Sequence, residues 1–326
     1  MILSKSINIV VIGCGQLGSR YVQGFAKCDK QITIYGVDVS ETSLAACGER
    51  FKEIKSVNSS FVPVKNVEEC PKDPFLIVVA TNADTREDVF RKIVSYFDFS
   101  FLILEKVLFQ SLSQYISLQN YLITNKNKIF INCPRRAYES YIKLHEIINE
   151  EPTISMIYEG SNWAMASNSI HFIDLYCYLT NQNKITVRTK NLSHKLLENK
   201  RPGMIEFEGV LKIDSEKGNL KLVSDPTIKE NKVTIDTTNY SIEIIEKVGS
   251  KMFITNKKTR KDSMLDFSIE YQSDLSLKIL NDLLINGSSA LPKAEATVEV
   301  HKELLTEFLK HYNLITHQNS LVCPIT

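Results

Sequence analysis

Nowhere in these 326 residues does an apolar run approach the roughly 20 needed to span a bilayer. The opening MILSKSINIVVIGCG runs straight into strand-like sequence without a signal-peptide cleavage pattern, so a cytoplasmic protein with no membrane partner is expected. Charge of one sign is also lacking: 39 Lys and Arg face 38 Asp and Glu, and a net charge of +1 gives no long-range attraction to nucleic acid. The cysteines (14, 28, 47, 70, 133, 177, 323) contain no C-x-x-C pair and lie in apolar stretches, which suits buried thiols rather than disulfides or zinc. His145, His194, His301, His311 and His317 show no metal-ligand spacing and suit surface or packing positions; no metal is expected. Internal repeats and low-complexity linkers are absent as well.

What is present is a globular composition, 43% hydrophobic and 24% charged, in a chain long enough for two domains. Over residues 1–133, β-branched runs (INIVVI, ITIYGVD, FLIVVA, FLILE, KIFINC) alternate with helical patterns. That alternation predicts right-handed crossovers and a doubly wound parallel sheet, an α/β Rossmann-type domain. Residues 134–326 differ in texture. A helix over about 136–149, the strand-like TISMIYEGSN and a helix around His171 lead into two-residue alternation in KITVRTKNL, MIEFEGVLKI, NLKLVSD, KVTIDTTNYSIEII and SKMFITN, before two closing helices. An α+β domain with a large open, mostly antiparallel sheet is expected, and its broad one-sided face predicts a homodimer or homotetramer.

VVIGCGQLGSRY sets Gly13, Gly15 and Gly18 in a G-x-G-x-x-G pattern between a strand and a helix. The first glycine permits a tight turn, the second a close approach of backbone to pyrophosphate, and the third close helix–strand packing. A tight βα turn of another function, FAD binding and S-adenosylmethionine binding share this pattern. Asp38 ends the next strand, twenty residues beyond Gly18, where a carboxylate can accept hydrogen bonds from a ribose. It would repel a 2′-phosphate, and the following VSET supplies no arginine, so NAD is expected over NADP. Cys14 is read as a small filler.

FLILEKVLFQS ends a strand in Glu105-Lys106, and the carboxyl ends of such strands face ligands. SNSIHFIDLYCYL, residues 167–179, carries His171, Asp174 and Tyr178 at i, i+3 and i+7, a polar stripe beside the apolar Ile170, Ile173 and Cys177. A cap from Ser167 or Asn168 is expected. The helix terminus would favour neutral imidazole, with Asp174 opposing that shift.

With VVATNADTRED (78–88), EKV, NCPRR (132–136) and HFID added, the chain resembles the glucose-fructose oxidoreductase, inositol dehydrogenase and rhizopine-catabolism (Gfo/Idh/MocA) family over nearly its whole length. The resemblance implies hydride transfer between a nicotinamide cofactor and a sugar or cyclitol, with Lys106 holding the reacting hydroxyl, His171 as acid/base and Asp174 beside it. It implies cofactor contacts at Gly13, Gly15, Gln16, Leu17, Gly18, Asp38, Thr81, Asn82 and Glu105. Three positions depart from the family. Ser167 stands where many members have aspartate, Arg86 where histidine is frequent, and Val107 replaces a proline, removing the usual reason for a cis peptide.

Arg135 and Arg136 could fork onto a phosphate or carboxylate, and Asn162, Trp163, Ser167 and Asn168 could meet a sugar; either set could equally be structural. A nucleotide sugar or surface-glycan precursor is the expected substrate on that basis. A non-catalytic dinucleotide-sensing regulator is the alternative from another class, and reduction of a non-sugar such as an imine a third. The basic run NKKTRKDS (256–263) suits a hairpin turn, and HQNSLVCPIT either docks on a partner subunit or frays.

Overall fold

A computed structural model of the chain describes residues 6–125 and 128–326. The opening residues 1–5, part of the stretch read as lacking a leader, lie outside the described residues. Two compact units are present: Met1–Leu108 with Ser117–Asn132 and Glu270–Glu295, and Phe109–Ile116 with Cys133–Ile269 and Ala296–Thr326.

In the first unit β1 (Ile7–Ile12), β2 (Ile32–Val37), β3 (Ser59–Val64), β4 (Leu76–Val79), β5 (Phe101–Leu104) and β6 (Ile129–Ile131) form one parallel sheet, ordered β3-β2-β1-β4-β5-β6. Helices α1 (Gly18–Phe25), α2 (Glu41–Lys52), α3 (Ala83–Tyr96) and α4 (Tyr115–Thr124) connect the strands. Successive residues of β4 and β6 are all buried, so both faces of the sheet are covered, as unbroken apolar runs require. The order reverses between β1 and β4, the switch point at which sheets of this kind bind ligands. SSFVPV, which forms β3, was not among the expected strands. Its Pro63 lies on the outermost strand, where a missing N–H breaks no ladder.

The second unit holds α5 (Glu139–Ile148), β7 (Ile154–Gly160) and α6 (Met165–Thr180), then β8 (Thr186–Leu192), the two-residue strands β9 (Leu197–Glu198) and β10 (Ile205–Glu206), β11 (Gly209–Ser215), β12 (Gly218–Ser224), β13 (Lys232–Thr237), β14 (Tyr240–Ile245), β15 (Ser250–Asn256) and β16 (Lys261–Phe267). Eight strands form a sheet ordered β16-β15-β14-β13-β7-β12-β11-β8, antiparallel except where β12 pairs with β7. Ile154, Met156 and Tyr158 of β7 are buried while Ser155, Ile157 and Glu159 are half-buried, so one face packs and the other is open. MIEFEGVLKI and KVTIDTTNYSIEII each break into two strands, and the basic run turns the chain from β15 into β16.

Of the two closing helices, α7 (Gln272–Asn286) belongs to the first unit, which is therefore not the continuous stretch 1–133. Close approach explains this return: a Cβ on Gly24 of α1 would stand 2.2 Å from Ser273 O, and Lys27 Nζ pairs with Asp274 at 2.7 Å. The other, α8 (Ala294–Thr316), runs into the second unit. The tail after α8 docks on its own chain rather than fraying. Cys323 N donates to Gln110 O, and Pro324 O and Ile325 O accept from Ile205 N and Gln110 Nε2, each at 2.9 Å. All seven cysteines are free and buried. Among the described residues, no helix is long and apolar enough to cross a membrane.

Candidate functional site

In the first unit the three loop glycines do different things. Gly13 has φ +90°, and a Cβ there would press on Ala80 and Thr81 at 3.0 Å. A Cβ on Gly18 would stand 1.8 Å from Gly13 O, so only hydrogen lets α1 start against the turn. Gly15 is exposed, with nothing within 4 Å of its Cβ position. Asp38, at the end of β2, is pinned to the loop: Cys14 N donates to Oδ2 at 2.8 Å and Ser40 N to Oδ1 at 2.9 Å. Leu17 begins α1 and Asn82 begins α3, neither making a side-chain cap, and beside Asn82 the Oγ1 of Thr81 is buried without a hydrogen-bond partner. Arg50 of α2, overlooked in the sequence, donates to Gln16 Oε1 at 2.7 Å, Gln16 O at 3.3 Å and Ser19 Oγ.

At the end of β5, Glu105 is 3% exposed and accepts from Tyr21 Oη at 3.0 Å and Asn132 Nδ2 at 2.6 Å. Burial raises its pKa against the opposing pull of Arg86 and Lys106. Lys106 is half-buried, and the Lys106–Val107 peptide is cis, contrary to what the loss of proline implied. Arg86 is the second residue the sequence left without a role. Its guanidinium is buried and donates to the carbonyls of Thr81, Val107 and Leu108, tying the turn after β4 to the segment after β5.

In the second unit α6 is buried almost all round, and only Asn168, His171 and Tyr178 are half-buried. The expected polar stripe is therefore interrupted by Asp174, 1% exposed, which accepts from Arg136 Nε at 2.8 Å. Burial raises the Asp174 carboxyl to about 6, although Arg136 opposes the shift. The expected cap is also absent: Ala164 occupies the N-cap at φ +58°, Asn168 Nδ2 donates to Trp163 O, and Ser167 turns to Glu206.

His171 lines a recess of about 300 Å³ with Arg135, Tyr138, Tyr158, Asn168 and Asn231. Trp163 and Phe172 form its apolar wall. Phe172 stacks on Tyr158 at 3.7 Å between ring centres, and Trp163 stands edge-on to both while donating to Val223 O at 2.9 Å. Arg135 lies 3.9 Å above the Phe172 ring and is paired with Glu246, which also accepts from Tyr141 Oη at 2.7 Å. Gly160 makes room for Asn231, whose Oδ1 lies 2.4 Å from where a Cβ would be.

The structure thus gathers Arg135, Trp163, Asn168 and His171 around one cavity. Arg136 and Asp174 instead pair with each other, Ser167 faces Glu206, and Asn162 is exposed with its amide on Ser161. Tyr138, Tyr158, Asn231 and Glu246 were missed. A tyrosine within a strand pattern and an asparagine in a loop carry no periodic signal.

This is a two-unit fold of the type found in dehydrogenases, as the resemblance to Gfo/Idh/MocA proteins implied. Similar structures include the dehydrogenase MviM from Clostridium difficile (TM-score 0.65, 14% identity, 96% of this chain and 100% of that one). A levoglucosan dehydrogenase in complex with NADH (0.66, 11%, 94% and 98%) is also similar. So is a super-repressor mutant of Gal80p from Saccharomyces cerevisiae (0.66, 12%, 95% and 97%). At these identities the likeness shows the fold alone. No family model and no curated protein matches the sequence.

Proposed function

We propose that the chain is an NAD(H)-dependent oxidoreductase acting on a hydroxyl or keto carbon of a sugar or cyclitol. The glycine cradle carries this reading. Gly15 leaves open space where a pyrophosphate would approach, Asp38 is held by two N–H groups ready to accept from a ribose, and Thr81 Oγ1 is buried without a partner. These residues fit the cofactor, with Gln16, Leu17, Asn82 and Glu105 around them, and the NADH complex of levoglucosan dehydrogenase supports the choice. An Asp at position 38 favours NAD over NADP.

A bound nicotinamide would supply the hydride acceptor. Its partner reaction needs a base, and His171 takes the proton of the reacting hydroxyl while Lys106 supplies positive charge where the alkoxide develops. Tyr138, Tyr158, Asn168 and Asn231 offer hydroxyl and amide partners for a polyol. Arg135 and Arg136 each already have a carboxylate partner, so the recess suits a neutral sugar better than a nucleotide sugar. Asp174 holds Arg136. Phe253 and Met264, paired across β15 and β16 and about half exposed, support a homodimer or homotetramer through the open sheet face.

The test is titration with NADH and NADPH, read by energy transfer from Trp163 and by calorimetry, followed by a polyol oxidation screen. NADH should bind more tightly than NADPH. His171→Asn should lower turnover by about 10²–10⁴-fold with NADH affinity unchanged, and Lys106→Ala should lose turnover far more than cofactor affinity. Absence of binding for either cofactor removes the reading. A non-catalytic dinucleotide-sensing regulator is the second reading, in keeping with a super-repressor among the similar structures, and NADH binding without turnover of any polyol would select it.

A further inference from the structure

The start of α6 lacks the local cap that a helix of 16 residues normally carries. Its first-turn N–H at Ser167 is taken from outside the helix, by a carboxylate on β10. Glu206 Oε2 accepts from Ser167 N at 3.2 Å, and Glu206 Oε1 accepts from Ser167 Oγ and from Asn199 Nδ2 at 2.6 Å. Asn199 Nδ2 also donates to Ser167 Oγ at 3.2 Å, closing a triangle of the Glu206 carboxylate and two side chains. Glu206 is 5% exposed, so its charge is little screened by water. The strand that carries it is clamped in turn, because Ile205 N donates to Pro324 O and the docked tail is held by Gln110.

Ser167 and His171 are four residues apart on α6, hence neighbours on one helix face. A carboxylate fixed on Ser167 therefore stands about one turn from the imidazole and at the positive end of the same helix. Resting on the proposed role of His171, we infer that Glu206 is its positioning residue: it anchors the first turn of α6 and places a carboxylate near the imidazole, keeping the ring basic enough to accept a proton. His171 is the seventh residue of α6, beyond the first turn where the sequence placed it and where the helix terminus acts, so the nearby carboxylate rather than the terminus biases the ring.

Among the described residues, the charged groups on α6 and beside the recess include two ion pairs. Asp174 on α6 is held by Arg136, and Arg135 by Glu246. Tyr138 and Tyr158 line the recess, and Tyr178 of α6 stacks with His145 of α5 at 4.3 Å between ring centres. Glu206 is the carboxylate bonded to the helix start itself.

The experiment is a pH titration of the histidine ring signals by NMR in protein without cofactor, with His171 assigned from His171→Asn. It needs neither NADH binding nor turnover, so it fails or succeeds independently of the oxidoreductase reading. Glu206→Gln, which keeps an acceptor oxygen and removes the charge, should lower the His171 pKa by about half a pH unit. Ser167→Ala, which keeps the charge and removes one contact, should leave it nearly unchanged. An unmoved pKa in folded Glu206→Gln overturns the inference, as does an equal shift in Ser167→Ala, which would mean that the helix had merely moved. Should Glu206→Gln not fold, the parent protein still decides. Coupling is mutual, so the Glu206 carboxyl carbon should report an inflection at the His171 pKa, and its absence overturns the inference.

Discussion

The glycine loop and the recess around His171 are built by opposite means. At the loop, the chain removes side chains: three glycines and a carboxylate held by backbone N–H groups leave an open cradle assembled within Gly13–Asp38. At the recess it adds them, and the charged ones arrive in pairs. Arg135 meets Glu246 across 111 residues of sequence, and Arg136 meets Asp174 across 38. The loop can therefore offer charge recognition to a ligand, whereas Arg135 at the recess and Arg136 against α6 are each paired with a carboxylate. What lines the recess besides Arg135 is aromatic surface, hydroxyl and amide groups and one imidazole.

The largest effect that would sharpen this contrast lies at the loop. Gly18→Ala puts a methyl 1.8 Å from Gly13 O and should cost about 3 kcal/mol or more of stability, read by denaturant unfolding. Gly15→Ala meets nothing within 4 Å and should leave unfolding within about 0.5 kcal/mol of the parent. Its NADH affinity should nevertheless fall about tenfold or more, a loss of about 1.4 kcal/mol. If Gly15→Ala bound NADH as well as the parent, the cradle would be a turn and nothing more.

A smaller effect belongs to the recess. Glu246→Gln leaves the Arg135 guanidinium over Phe172 without its carboxylate. Losing one member of a buried pair costs about 3–5 kcal/mol, and the partial exposure of Arg135, 19% of its side chain, reduces the expectation to about 2 kcal/mol. The unmasked cation should also make the protein gain thermal stability in sulfate relative to chloride by more than the parent does. Equal responses would mean that Arg135 does not face the recess in solution.

The same contrast explains what the sequence disclosed. G-x-G-x-x-G, Asp38 and the strand-end Lys106 were legible because each depends on spacing within one βα unit, and unbroken apolar runs located the parallel strands they end. His171 was legible as an anomaly in an apolar helix. Its surroundings were not, because a carboxylate at 206 or 246 and an amide at 231 are brought in by strand order in a large sheet, which local periodicity does not encode. Arg86 and Arg50 escaped for a related reason: both serve backbone atoms or neighbouring polar groups across elements, so nothing in their own neighbourhoods marks them. The edge strand β3 was hidden by its proline.

The smallest effect tests whether the recess pairs are as buried as they look. Burial raises the Asp174 carboxyl to about 6, whereas an unfolded aspartate titrates near 3.9. The folded chain therefore takes up this proton at higher pH than the unfolded chain does. The group's contribution to stability is fully present below the unfolded value and is lost as pH rises through about 6. Asp174→Asn abolishes that titration. Between pH 8 and pH 5 the parent should gain about 1 kcal/mol relative to the variant, measured by urea unfolding at each pH. The opposite slope, with the parent losing ground as pH falls, would mean that Arg136 outweighs burial and holds the carboxyl below its unfolded value. The Asp174 carboxylate would then be held in its charged form by Arg136 despite its burial, and the account of Asp174 as a carboxyl governed by burial would fail.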